Sequence, residues 1–311
     1  MPDERRRPIA LSIAGSDPSG GAGIQADLKV FHRYGVHGAA VVALLTAQDS
    51  AAVHRIAAID PGFVAAELDA VLEGFRPDAV KTGALGSAAV VEVVASRLAL
   101  LDAPIVVDPV IASTSGARLL DPDGVLALRE RLLPIAELIT PNLEEAGILA
   151  GFEVRDEAAI EAAAAAIHRL GARGVLITGL FGRLRGSREG EGAPAGEPIR
   201  VLDPEGSGGE VVLDLFSIES AAERPRGIEG PGKMTSQRLP GPAPHGTGCA
   251  LSAAIAAERA LGHGLYESVR HARAFVWEGI RRRQGIGPGP GAVDLFADPS
   301  SIRDALGERK S

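Results

Sequence analysis

Ile9-Ala-Leu-Ser-Ile-Ala-Gly-Ser-Asp-Pro-Ser-Gly-Gly-Ala-Gly-Ile-Gln-Ala-Asp27 runs from a short apolar strand into a glycine-rich turn and then into a helix. Pro244-His-Gly-Thr-Gly-Cys-Ala-Leu-Ser-Ala-Ala254, far downstream, runs from a turn into an apolar helix. Glycines just before a helix let backbone N–H groups crowd around an anion, and the helix dipole favours negative charge there. Two such turns in one chain predict that a small molecule and a phosphate donor meet.

Between the turns, apolar runs alternate with helical patterns. Ile9–Ala14, Ala39–Leu45, Ala79–Lys81, Ile105–Asp108, Glu137–Thr140 and Gly174–Thr178 read as strands. Gly20–Tyr34, Pro61–Phe75, Ser87–Leu100, Pro122–Leu132 and Asp156–Leu170 read as helices, with Pro61 and Pro122 at N1 behind aspartate caps. The alternation predicts an α/β fold with a mainly parallel sheet and ligand loops at the carboxyl ends of its strands. The pattern breaks between Gly179 and Pro244, a stretch rich in Gly, Arg, Glu and Pro. Within it Ile199–Leu202 and Val211–Phe216 read as a β-hairpin, and Gly246–Leu261 and Leu265–Arg283 then close the chain as two helices. The expected organisation is a flexible leader over 1–8, a single domain over 9–296 with a variable insertion at 179–244, and a tail over 297–311.

Composition narrows the function. The chain of 311 residues is 46% hydrophobic but only 4% aromatic, which suits parallel strands packed with Ala, Val, Leu and Ile. A net charge of −8 argues against a general nucleic-acid binder. Arg5–Arg7 reads as a solvated leader, without an apolar segment to make it a signal or a membrane anchor. One cysteine, Cys249, excludes an intramolecular disulfide. The expectation is a cytoplasmic enzyme without membrane or nucleic-acid partners.

Several residues carry candidate chemistry. Asp27, early in its helix, is read either as a cap or as an acceptor for a polar substrate. Gln48 follows the second strand, and its amide offers the donor and acceptor that the edge of an aminopyrimidine needs. Asp108 ends an apolar strand where a carboxylate could hold Mg²⁺, which prefers few carboxylates and several waters. Asn142 and Glu145 fit a capping box, a ligand role, or both. The amides of Gly246, Thr247, Gly248 and Cys249 can form an anion hole for a transferring phosphoryl group. Cys249 at a helix N-terminus is expected to have a lowered pKa and to act as a weak base, as a hydrogen-bonding group, or merely as a small residue that fits. His245 is a further candidate for the lining, and no histidine pair has zinc-ligand spacing.

Taken in order, Ala14–Leu28, Thr46-Ala-Gln48, Val107-Asp-Pro-Val110, Ile139-Thr-Pro-Asn142 with Glu145, and His245–Ala254 resemble the hydroxymethylpyrimidine/phosphomethylpyrimidine kinases of thiamine biosynthesis. The resemblance covers about Ile9 to Val293, and Gly179–Pro244 is its poor stretch. It implies a ribokinase-like three-layer α/β/α sandwich, usually dimeric. It also implies ATP- and Mg²⁺-dependent phosphorylation of 4-amino-5-hydroxymethyl-2-methylpyrimidine and then of its monophosphate. Carried over, Gly15, Ala22, Asp27, Gln48, Ala84 and Val110 belong to the pyrimidine pocket. Asn142, Glu145 and Lys81 belong to the nucleotide, Asp108 and Glu145 to the metal, and Gly246–Cys249 to the catalytic anion hole.

Three departures stand out. Lys81-Thr-Gly-Ala84 has alanine where the family usually has methionine, which widens the pocket and keeps a pyridoxal or pyridoxine kinase as the alternative. Ser113-Thr-Ser-Gly116 and Thr178-Gly-Leu-Phe181 each lack a family lysine. Those losses motivate a third reading, a catalytically weakened pyrimidine-binding regulator, unless Lys81, Lys233 or an arginine of the insertion meets the phosphates.

Overall fold

In a computed structural model the run Ile9–Ser16 forms β1, buried from Ile9 through Gly15. The structure describes residues 6–113, 115–185, 201–202, 210–219, 232–283 and 285–305. It divides into two units, Met1–Glu137 with Pro242–Ser311, and Leu138–Gly241.

In the first unit β1 is flanked in parallel by β2 (His37–Gln48) and β4 (Ala79–Thr82). β5 (Ile105–Val107) continues in parallel on β4, and β3 (Val53–Ala58) adds antiparallel to β2, giving the order β5-β4-β1-β2-β3. The expected parallel sheet is therefore present, with one antiparallel edge. Helices α1 (Gly23–Arg33) and α7 (Thr247–Ala260) pack on each other and on β1, and α8 (Leu265–Arg281) backs α7. Helix α2 (Pro61–Gly74) packs on β2 and on α3 (Ala88–Leu98), which is joined by α4 (Pro122–Ala127). Asp60, Ser87 and Asp121 cap α2, α3 and α4 through their side chains, and Pro61 and Pro122 occupy first turns as expected.

In the second unit β6 (Leu138–Ile139) lies parallel to β7 (Gly174–Arg185). β9 (Glu210–Ile218) is antiparallel to β7, and β10 (Gly232–Gln237) is antiparallel to β9. Helices α5 (Leu143–Ala150) and α6 (Glu157–Arg169) pack on each other and on β7.

Several sequence expectations are corrected. Among the described residues the expected hairpin is not found: β8 (Val201–Leu202) runs parallel to β7, β9 pairs with β7 and β10 instead, and Ile199 and Arg200 lie outside those residues. β2 extends through Gln48, so that glutamine ends a strand. A π-turn at Leu128–Leu132 interrupts the helix expected over Pro122–Leu132. β3 escaped notice because every one of its side chains after Val53 is exposed, so it carries no alternation of burial. Part of the expected leader is ordered: Pro8 accepts from the His37 N–H at 2.8 Å, and Arg6 pairs with Asp78. The expected tail contains α9 (Pro299–Ala305), which packs on α8.

The first unit has a polar tie at its centre. Lys81 of β4 places Nζ 2.8 and 3.1 Å from the two carboxylate oxygens of Asp27 on α1, and Ser12 of β1 donates to Asp27 at 2.6 Å. Both charged side chains are fully buried. Burial opposes the charge on Lys81, but attraction, chiefly to Asp27, outweighs it and raises the ammonium pKa. Breaking such a pair on one side strands the other charge in a low dielectric, at a cost of about 3–5 kcal/mol. Lys81→Met is expected to lose that much in urea denaturation, and Lys81→Met with Asp27→Leu to regain most of it. A single variant as stable as the wild type would contradict this account.

Candidate active site

Gly246, the N-cap of α7, has φ +84°, and a Cβ there would collide with the carbonyl oxygen of Gly21. The second glycine turn therefore rests directly on the backbone of the first, and only glycine permits the approach. Gly23, with φ +57°, meets the same limit against the Gly15 carbonyl, which folds the first turn back on the end of β1.

A polar clip holds the two turns together. His245 Nε2 lies 2.8 Å from Asp17 Oδ2. Asp17 also accepts from Ser19 N and Ala22 N, each at 2.8 Å, and from Ser19 Oγ at 3.0 Å. Gln25 braces the turn, accepting from Asp17 N at 2.8 Å and donating to Ser16 Oγ at 2.7 Å. Burial pushes the Asp17 carboxyl up, but hydrogen bonds from His245, Ser19 and Gln48 prevail and hold its pKa at about 2. Asp17 and His245 are the residues that motif reading undervalued. Their signal was position: each flanks a glycine turn, but nothing in the spacing says that the turns touch.

No side chain caps the N-terminus of α7. Thr247 Oγ1 donates back to Pro244 O at 2.8 Å, and the helical ladder starts with Ala250 N donating to Gly246 O. The first amides of the helix thus have no side-chain cap, an arrangement that can receive an anion. Beneath them, a Cβ on Gly248 would stand 4.0 Å from Asp108 Oδ2, which receives the Ser252 hydroxyl at 3.0 Å. Ser252 lies one helical turn beyond Gly248 and was not singled out. Burial pushes the Asp108 carboxyl up, and Lys81 and Ser252 pull it back.

The expectation for Cys249 is overturned. Burial pushes its thiol up to about 12 despite Lys81, with Asp108 and Asp27 adding to the rise. The helix dipole acts against desolvation and two carboxylates, and the desolvation prevails. Cys249 is a protonated thiol at neutral pH.

The expected pocket residues divide. Gly15, Ala84 and Val110 gather at one apolar wall: Leu44, Ala84 and Leu119 form a cluster against which Val110 packs, and a Cβ on Gly15 would lie 3.6 Å from that of Ala84. Ala22 is buried and supports Asp17 through its amide. Gln48 stands half-buried beside His245. Asp27 and Lys81 are fully buried and bound to each other, so neither offers the substrate or phosphate contact expected of it. In the second unit, Asn142 and Glu145 form the capping box of α5, with both reciprocal bonds present. Lys233 is engaged by Glu157 and Glu161; of the insertion's arginines, Arg183 and Arg185 lie in β7 and Arg238 follows β10, while Arg188, Arg200, Arg224 and Arg226 lie outside the described residues.

Among the described residues no three His, Cys, Asp or Glu side chains stand together to hold a metal ion. Asp108 alone fits the Mg²⁺ expectation: it is a single carboxylate, almost buried, directly below the uncapped amides. Mg²⁺ takes most of its ligands from phosphate and water at such a place.

A family model described as phosphomethylpyrimidine kinase matches residues 17–190 and 229–294, which include both glycine turns. The chain belongs to the phosphomethylpyrimidine kinase family. The family match breaks off within the stretch that departs from the α/β pattern. The hydroxymethylpyrimidine/phosphomethylpyrimidine kinase of Synechococcus elongatus is 39% identical over 289 residues, 93% of this chain and 97% of the relative. Among solved structures, the Staphylococcus aureus pyridoxal kinase in complex with pyridoxal superposes with a TM-score of 0.75 at 28% identity, over 94% of each chain. The Clostridium difficile phosphomethylpyrimidine kinase gives 0.67 at 30% identity, over 88% of this chain and all of that one. The fold is thus ribokinase-like α/β, and the chain is a phosphotransferase of this family.

For a family member of this geometry, a protonated thiol makes a poor base. Cys249→Ser is expected to keep kcat within about tenfold, because base catalysis is worth 10²–10⁴-fold where it operates. The pH profile of kcat between 6 and 10 should show no thiol ionisation. A thousandfold loss in the serine variant would overturn this.

Proposed function

We propose that the protein transfers the γ-phosphoryl group of ATP to the hydroxymethyl group of 4-amino-5-hydroxymethyl-2-methylpyrimidine, and then phosphorylates the resulting monophosphate. The uncapped amides at Thr247, Gly248 and Cys249, set against the turn that ends β1, carry this reading. The names of the relatives support the substrate.

In the reaction the substrate oxygen attacks the γ-phosphorus, the bond to the bridging oxygen of ADP breaks, and the hydroxyl proton passes to solvent. The transition state is loose and its charge is spread over the phosphoryl oxygens, so positioning and electrostatics provide most of the acceleration. The α7 amides stabilise that charge, the Gly246–Gly21 contact fixes them relative to the substrate turn, and the Cys249 thiol hydrogen-bonds without leaving a competing negative charge. The Leu44, Ala84, Val110 and Leu119 wall excludes water from one face of the ring. Mg²⁺, held at Asp108 through phosphate and water, supplies charge neutralisation when bound. Family resemblance supports a nucleotide role for Asn142 and Glu145 and a metal role for Glu145. The enzyme works in the cytoplasm as a homodimer. Support for the dimer comes from β3, an exposed edge strand that leaves backbone groups unpaired beside exposed Leu45 and Ile56.

The test is phosphate transfer from ATP·Mg²⁺ to the pyrimidine alcohol, to its monophosphate and to pyridoxal, with products identified by mass. Conversion of both pyrimidines is expected, and turnover of pyridoxal alone would move the enzyme to another ring, as Ala84 would allow. Absence of turnover with all three would leave a binding protein. Light scattering should give twice the 32.0 kDa chain mass, and a monomer would remove the dimer.

A further inference from the structure

Asp108 follows β5, and its Oδ2 stands 4.0 Å from the point where a Gly248 Cβ would sit. Glycine at 248 puts no side chain between this carboxyl and the first amides of α7. Gly248 is exposed, and Thr247 and Cys249 are half-buried, so that turn is open to a partner. Aspartate is among the best acceptors for the first amides of a helix, and the positive end of the dipole attracts a carboxylate. Yet Asp108 leaves α7 uncapped.

Its Oδ2 instead receives the hydroxyl of Ser252, 3.0 Å away and one helical turn beyond Gly248. Ser252 is fully buried, and its single hydroxyl proton has three acceptors in reach. They are Asp108 Oδ2 at 3.0 Å, Gly248 O at 3.0 Å and Cys249 O at 3.2 Å. The two carbonyls already accept from amides of the helical ladder, whereas a buried carboxyl oxygen left without a donor is costly. The proton therefore goes to Asp108. The Val110 amide and the Lys81 charge act on the same carboxyl from the sheet, and Ser252 acts on it from α7.

We infer that Ser252 is a positioning residue that keeps Asp108 from capping α7, and so keeps the Thr247, Gly248 and Cys249 amides open to a phosphate. Without the hydroxyl, Oδ2 loses its donor from α7 and takes the nearest free ones, the amides themselves. An internal carboxylate then competes with the phosphoryl group for the same donors. The inference rests on the reading of these amides as an anion hole and deepens it by naming what guards the hole.

Two readouts in the full chain test it. Hydrogen exchange without ligand should find the Thr247–Cys249 amides unprotected in the wild type. In Ser252→Ala their exchange is expected to slow about tenfold, the size of a good cap. Protected amides in the wild type, a result that needs no variant, would overturn the inference, and so would unchanged exchange in Ser252→Ala. Calorimetric titration of ADP in EDTA reads the same competition as binding. Ser252→Ala should weaken ADP about tenfold, and Ser252→Thr, which keeps the hydroxyl, should bind it as the wild type does. In an Asp108→Ala background, where no carboxylate is left to swing, adding Ser252→Ala should cost less than about twofold. An equal loss in that background would make Ser252 a packing residue and overturn the inference. A wild type that transfers phosphate, with a Ser252→Ala variant that binds ADP normally, would remove this inference alone. A wild type that neither binds ADP nor transfers phosphate would remove the anion-hole reading with it.

Discussion

Much of the first unit depends on one close approach, the backbone of Gly246 lying on the carbonyl of Gly21. A side chain at either point would push the two turns apart. The α7 amides would then leave the end of β1, and His245 would leave Asp17. The helices behind the turns help to hold the contact, because α1 and α7 pack on each other and on the same strand. The contact is thus set from both sides, by buried glycines at the turns and by helix packing behind them. A hydrogen-bonded carboxylate then fastens it.

The electrostatics under this contact follow from burial. Asp27, Lys81 and Asp108 are all but removed from water, and burial pushes both carboxyls above their usual range. Lys81 is spent on Asp27, so its use as a phosphate ligand and its use in the core exclude each other. The core use prevails because an unpaired Asp27 at that depth would be far costlier than one missing phosphate contact. Burial also raises the thiol of the half-buried Cys249, so the side chain beside the first amides of α7 is neutral.

The strand and helix alternation was readable in the sequence because buried parallel strands are continuous apolar runs and their helices carry aspartate and proline start signals. The glycine turns were readable because few residue types can form them. What escaped had no local signature. β3 is exposed throughout, and the π-turn at Leu128–Leu132 follows unbroken helical periodicity. Asp27 looked like a site residue because it stands in the longest motif. Its actual role depends on Lys81, fifty-four positions away, and only the β1–β4 pairing brings the two together. Asp17 and His245 were harder still, since their meeting depends on how the chain returns from Pro242 onward.

A neutral residue at Cys249 is coherent with an anion hole rather than a substitute for a missing base. A carboxylate at that point would be drawn to the positive end of the α7 dipole, but it would compete there with the phosphoryl group it faces and repel it. It would also add a third carboxyl to a set in which Asp27 and Asp108 are already buried around one lysine. A thiol held near pKa 12 avoids both costs and still offers a weak donor. Phosphoryl transfer through a loose transition state removes little charge from the attacking oxygen before the bond forms, so a resident base contributes little. The geometry therefore favours charge stabilisation over proton abstraction.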